Sequence, residues 1–168
     1  VQGAKPTLHE LHATKTDAPI ALDGKLDEPV WAKAARSSSF VHTITGAKAE
    51  PEASVKAAWD AQNLYVAFEV ADDYLHSTFA KNDDHLWEQD CVEIMLDPGG
   101  DGKDYVEVQV SPANKHFDTK YDSRRVPQPF GHIDYDAHMT TGVALRGTLN
   151  DDKADEGYTV EIAIPWAS

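Results

Sequence analysis

Apolar and polar residues alternate along most of the chain, with the two-residue period of strands that bury one face. Val55, Ala57 and Trp59 alternate, residues 60–63 make a turn, and Leu64, Val66, Phe68 and Val70 share one face of a returning strand. This predicts a hairpin. Residues 90–96 predict another strand, with Val92, Ile94 and Leu96 on one side and Cys91, Glu93 and Met95 on the other. Past the turn at 97–104, residues 105–110 return with Val106, Val108 and Val110 on one face and Tyr105, Glu107 and Gln109 opposite. Residues 117–121 predict a short strand, and 140–149 and 158–164 two more around a turn at 150–153. Ile20 and Leu22, before Asp23-Gly24, predict a first strand. Asp27 as cap, Pro29 in the first turn, and Val30, Trp31 and Ala34 on one face predict a short helix whose tryptophan packs on a sheet. Residues 72–89 read as a polar connection and 124–138, rich in Pro, Gly and His, as a long loop. Many short strands joined by turns give an all-β fold: an antiparallel β-sandwich with one short N-terminal helix. Residues 1–18 form a leader and 19–168 the sandwich.

Composition narrows the partners. The 168 residues suffice for one core. Lys and Arg number 15 against 29 Asp and Glu, a formal charge of −14. Such a surplus repels phosphate backbones and anionic membrane surfaces, so no nucleic-acid partner is expected and anionic membrane surfaces are disfavoured. No apolar run approaches the roughly 20 residues that span a bilayer. Cys91 stands alone, which excludes an intramolecular disulfide, a thiolate-rich metal site and CxxCH haem attachment. The chain opens on Val1 and closes at Ser168 just after an apolar strand pattern. The expectation is a processed or truncated chain whose sandwich another segment completes, by chain continuation or by strand addition from a partner.

Several positions carry candidate chemistry. Trp87 lies in His85-Leu-Trp-Glu-Gln-Asp90, where only Leu86 is apolar. A partly exposed indole stacks on the C–H face of a sugar ring, and Glu88, Gln89 and Asp90 supply partners for hydroxyls. The alternative is an indole that caps the sandwich edge. Glu93, Met95, Glu107 and Gln109 share the polar side of two neighbouring strands, either as a solvated face or as the lining of a shallow groove. Glycoside hydrolysis needs two carboxylates at a defined separation. With 29 acidic residues a pair arises from composition alone, so hydrolysis is not assigned. Asp97, Asp101 and Asp104 surround a glycine-rich turn with the spacing of calcium ligands, and Asp72, Asp73, Asp83 and Asp84 form a second acidic group; plain acidic turns are the alternative for both. The eight histidines form no HExxH or tight zinc pattern. Met95 with a histidine is chemically able to ligate haem, or simply fills space. Cys91 reads as an inert thiol, and no nucleophile elbow or phosphate-binding glycine loop appears.

Four blocks in order resemble one family. Residues 20–31, with Asp-Gly-Lys-Leu-Asp-Glu-Pro-Val-Trp, are similar to the "DGxLDExxW" opening of family 9 carbohydrate-binding modules and the wider DOMON-like group. Residues 55–72 resemble the "WDxxxLYV" hairpin, 87–97 the "WEQDxVEIxxD" core and 157–166 the late "GYxVEAAIPW" strand. The resemblance implies a β-sandwich with a non-catalytic, sugar-binding role. It implies that Trp87 is one wall of an aromatic clamp and that Glu93 contacts the sugar, with the second wall beyond the Ile164-Pro165-Trp166 strand. Gln109 stands where some members carry a sugar-contacting arginine. The resemblance also implies structural calcium, while other DOMON-like relatives bind haem through methionine with histidine or lysine. The expectation is therefore a secreted, cell-surface or periplasmic module that binds an oligo- or polysaccharide through Trp87, Glu88, Glu93 and Gln109. A haem-binding electron-transfer domain and an assembly domain of an extracellular complex are the alternatives.

Overall fold

The structure is a computed structural model and describes residues 9–168. The first eight positions of the expected leader lie outside the described residues. Among the described residues, eight strands form two sheets: β1 (Thr14–Lys15), β2 (Glu52–Trp59), β3 (Asn63–Ala71), β4 (Val92–Leu96), β5 (Lys103–Val110), β6 (His116–Ser123), β7 (Thr140–Arg146) and β8 (Gly157–Pro165). One sheet has the order β1-β2-β3-β8-β7 and the other β4-β5-β6. Every pairing is antiparallel except β1 with β2. The two sheets close over one core. Val66, Phe68 and Val70 from β3 and Val160, Ile162 and Ile164 from β8 meet Val92, Val108 and Val110 from the smaller sheet.

The predicted hairpin is β2–β3. Asp60 fixes its turn by accepting from the Gln62 and Asn63 N–H groups at 2.7 and 2.8 Å. The predicted helix is α1 (Pro29–Lys33), with Pro29 in its first turn. Its cap differs from expectation: Glu28 holds that position and makes no side-chain cap bond, because its carboxylate accepts the Ala21 N–H at 2.9 Å instead. The expected first strand at Ile20 and Leu22 is not a strand. These residues lie with Leu26 under α1 in a second apolar cluster on the outer face of the larger sheet. The strand that opens the sheet, β1, falls inside the expected leader and pairs Thr14 with Ala58.

Glu161 ties this outer layer down. The alternation of β8 puts it on the face away from the main core, where α1 covers it completely. Its carboxylate accepts the Trp31 indole N–H at 2.8 Å and the Gly24 and Asp23 N–H groups at 2.9 and 3.2 Å. Gly24 has a φ of 80°, the left-handed region that glycine adopts without strain. Burial, reinforced by the Glu28 carboxylate, raises the Glu161 carboxyl to about 7.

Candidate functional site

The outer face of β4-β5-β6 carries the side chains that alternate away from the core. Register sets them in rows: Glu93 opposite Gln109 and Gln109 opposite Phe117, Met95 opposite Glu107 and Glu107 opposite Thr119, then Tyr105 opposite Tyr121. Segment 124–131 folds back over this face. Its Phe130 carbonyl accepts the Thr119 hydroxyl at 2.7 Å, and the His132 N–H donates to the Lys120 carbonyl at 2.8 Å. Gly131 makes that approach possible, since a Cβ there would sit 2.6 Å from the Lys120 carbonyl oxygen. The result is a groove of about 520 Å³, a size typical of small-molecule sites. Trp87, Phe117 and Phe130 wall one end, and Tyr105, Tyr121, Arg124 and Arg125 line the other.

Trp87 sits on a single 3-10 turn (Leu86–Glu88) and is half-buried. Fully buried Leu86 anchors the turn. Gln89 grips Thr78 through both the backbone N–H and the hydroxyl at 2.6 Å, and Asp90 accepts the His76 N–H at 2.6 Å. These two residues, expected to meet ligand hydroxyls, are therefore engaged in holding the turn that aims Trp87. The indole stacks on His85 at 4.5 Å between centroids and meets Phe117 edge-on at 5.1 Å and Phe130 at 5.0 Å. Its remaining surface lines the groove.

Gln109 is 1% exposed, and its amide nitrogen donates to Glu93 at 2.9 Å and to Glu107 at 2.7 Å. One amide thus holds two carboxylates on the groove floor. Desolvation, and then the neighbouring Glu107 carboxylate, hold Glu93 above the ordinary carboxylate range. Burial beside Glu93 pushes the Cys91 thiol up to about 12, so it stays a neutral thiol. Gln109 was expected to bond hydroxyls directly; its donors are instead turned onto the glutamates, and it positions them. Glu88 does not line the groove. It is exposed and pairs with His85 at 3.2 Å.

In the acidic turns expected to hold calcium, Asp97, Asp101 and Asp72 are turned onto N–H groups of their own loops. Among the described residues, no group of three or more His, Cys, Asp or Glu side chains converges to hold a metal. Both Asp97 oxygens accept N–H groups of their own loop, Gly100 at 2.8 Å and Gly102 at 2.7 Å, and Asp101 accepts the Lys103 N–H at 3.0 Å. Asp104 is exposed in the same turn. In the other acidic group, Asp72 accepts the Tyr74 N–H at 3.1 Å, closing its own turn. Met95 is 56% exposed in the groove, whose lining includes neither histidine nor lysine, so no axial pair for a haem assembles there.

The groove brings together the predicted candidates Trp87, Glu93, Glu107, Gln109 and Met95. Phe117, Tyr105, Tyr121, Arg124, Arg125, Pro129 and Phe130 line it as well, without having been singled out by their sequence pattern. The signal for Tyr105 was present, since it alternates with Glu107 and Gln109 on β5.

The family described as carbohydrate family 9 binding domain-like matches residues 22–168. Exoglucanase XynX of Acetivibrio thermocellus is 30% identical over 149 residues, 88% of this chain and 12% of that enzyme. Endo-1,4-beta-xylanase A of Thermotoga neapolitana is 29% identical over 145 residues, 86% of this chain and 12% of that enzyme. The chain thus spans about an eighth of the length of these curated relatives. Among solved structures, a family 9 carbohydrate binding module from Caldicellulosiruptor kristjanssonii in complex with cellotriose superposes with a TM-score of 0.62 at 24% identity, over 93% of this chain and 67% of that one. The same organism's module in complex with glucose gives 0.59 at 23% identity, over 94% and 69%. These two likenesses establish the fold.

Proposed function

The chain belongs to the carbohydrate family 9 binding domain-like family, and from that premise we propose that it is a non-catalytic module that binds a sugar in the groove beside Trp87. The observation that carries this reading is the conjunction of a half-buried indole with two carboxylates on one groove floor. The indole offers a flat apolar surface to the C–H face of a pyranose ring, and Glu93 and Glu107 accept its hydroxyls. Gln109 orients the two acceptors. A hydrolytic pair would flank the scissile bond from opposite sides. Here both carboxylates lean on one buried amide on the same floor, which suits binding rather than bond cleavage.

Glucose and cellotriose in related modules support a pyranose ligand. The exoglucanase and xylanase relatives support a setting outside the cytoplasm, beside polysaccharide. One aromatic wall supplies modest energy, so binding is weak. The test is calorimetric titration with cellotriose. Trp87→Ala should lose about 2 kcal/mol, roughly thirtyfold in affinity, as an aromatic anchor does. Equal binding by wild type and variant would remove Trp87 from the site.

A further inference from the structure

The groove has two chemically different ends. Trp87, Phe117 and Phe130 make one end apolar, whereas two guanidinium groups reach the other. The chain has four arginines. Arg36 donates to the Ser54 hydroxyl at 2.6 Å and faces Glu69 at 3.7 Å; Arg146 donates to the Val70 carbonyl at 3.0 Å. Arg124 and Arg125 both line the groove, and among the described residues neither guanidinium makes a hydrogen bond or a salt bridge within 4 Å, although the Arg125 charge reaches Glu93 and Tyr121 and favours their ionised forms. Unlike Arg36 and Arg146, neither side chain is tied down by a bond that serves folding.

Their backbone is fixed. Val126 donates to the Ser123 carbonyl at 2.9 Å, and Asp122 donates to the Val126 carbonyl at 2.8 Å, closing a tight turn. The Arg125 N–H donates to the Tyr105 hydroxyl at 3.1 Å, and the Arg125 carbonyl accepts from the Gln128 amide at 2.7 Å. Asp122 is engaged by His132 at 2.8 Å. Tyr105 and Tyr121 stack at 5.0 Å beneath this turn. Two forked donors therefore stand on a pinned support, the arrangement that reads a planar carboxylate.

We propose that this end of the groove binds a carboxylate carried by the glycan, so that the ligand is a uronate-bearing oligosaccharide with a neutral ring on Trp87. The inference rests on the sugar-binding reading and narrows its ligand class. Register supports the spacing: from Gln109 to Tyr105 the floor runs four strand residues, about 13–14 Å, which is longer than one pyranose ring. The acidic ring is thus a different ring from the stacked one.

The experiment is calorimetric titration of the wild-type chain with cellotriose, with cellotriose bearing a C6 carboxylate on each ring in turn, with the methyl ester of each acid, and with the matching 6-sulfate. One acid isomer should bind about tenfold tighter than cellotriose. The ester should erase that advantage and added salt should shrink it. In the R124Q/R125Q variant the ratio of acid to neutral affinity should fall to within about twofold, and in R124K/R125K part of it should return. No isomer tighter than cellotriose, a preference retained by R124Q/R125Q, or a sulfate preferred over every carboxylate would each overturn the proposal. Cellotriose bound without acid preference refutes this inference alone. Binding of neither cellotriose nor any acid refutes the sugar-binding reading with it.

Discussion

Replacing Trp31 by Phe would remove one N–H group from a fully buried site while keeping most of the apolar ring. That N–H donates to Glu161 at 2.8 Å, and the other Glu161 oxygen serves the Gly24 and Asp23 N–H groups. Burial raises the Glu161 carboxyl to about 7, so it is charged at about pH 8 and protonated at about pH 5.5. A hydrogen bond to a charged acceptor contributes about 1.5–3 kcal/mol, and one to a neutral acceptor about 1 kcal/mol. The void left by the smaller ring adds roughly 1 kcal/mol at either pH. Trp31→Phe should therefore cost about 2.5–4 kcal/mol near pH 8 and about 2 kcal/mol near pH 5.5. The wild type has its own pH dependence from the same group. Its folded-state value lies above the ordinary 4.5, so the folded chain holds the proton longer than the unfolded one. The contribution to stability is full below about 4.5, falls as pH rises toward about 7, and is level beyond. Losing the indole donor pushes Glu161 higher and extends that decline upward. Urea unfolding followed by circular dichroism at the two pH values measures both effects. A cost that is equal at both, or smaller at the higher pH, would refute the assignment of the indole to a charged carboxylate.

Gln89→Ala should weaken cellotriose binding about three- to tenfold by calorimetry, although Gln89 lies outside the groove, because it latches the turn that aims Trp87; an unchanged affinity would contradict the latch. Cys91 should react with a disulfide reagent near pH 8 more than about tenfold slower in the folded chain than in urea, because burial keeps its thiol protonated. Equal rates would show an accessible thiolate. Asp97→Ala should lower the melting temperature to the same extent with and without chelator, since its oxygens hold loop N–H groups. A loss confined to calcium-containing buffer would make it a ligand.

Period-two alternation made the sandwich legible. The β2–β3 hairpin and the paired faces of β4 and β5 follow from which residues point which way, and so does the floor row of Glu93, Glu107 and Gln109. Trp87 was legible because a tryptophan among polar neighbours lacks a face to bury. Alternation assigns a side chain to a face without saying what covers that face. Alternation puts Glu161 on the face of β8 away from the main core, and what covers that face is α1, through a contact 130 residues away in sequence. Gln109 reads as a free amide, yet it is enclosed by the two glutamates it bridges. The far wall was illegible for a related reason. Phe130 and the two arginines lie in an aperiodic segment whose placement depends on a bond from Thr119 and a glycine at the point of closest approach. Ile20 and Leu22 satisfy a strand's spacing, but their burial comes from α1 rather than from a ladder. At β1, two residues of pairing are too short for any period to register.

The chain has four tryptophans, at positions 31, 59, 87 and 166, so a nitrogen-15 spectrum has four indole N–H signals that report on separate places. Trp31 packs from α1 onto the larger sheet, Trp59 and Trp166 are exposed away from the groove, and Trp87 lines it. Titration with cellotriose should move the Trp87 signal progressively and leave the other three in place. Movement of the Trp59 or Trp166 signal with Trp87 stationary would put the sugar elsewhere and contradict the account.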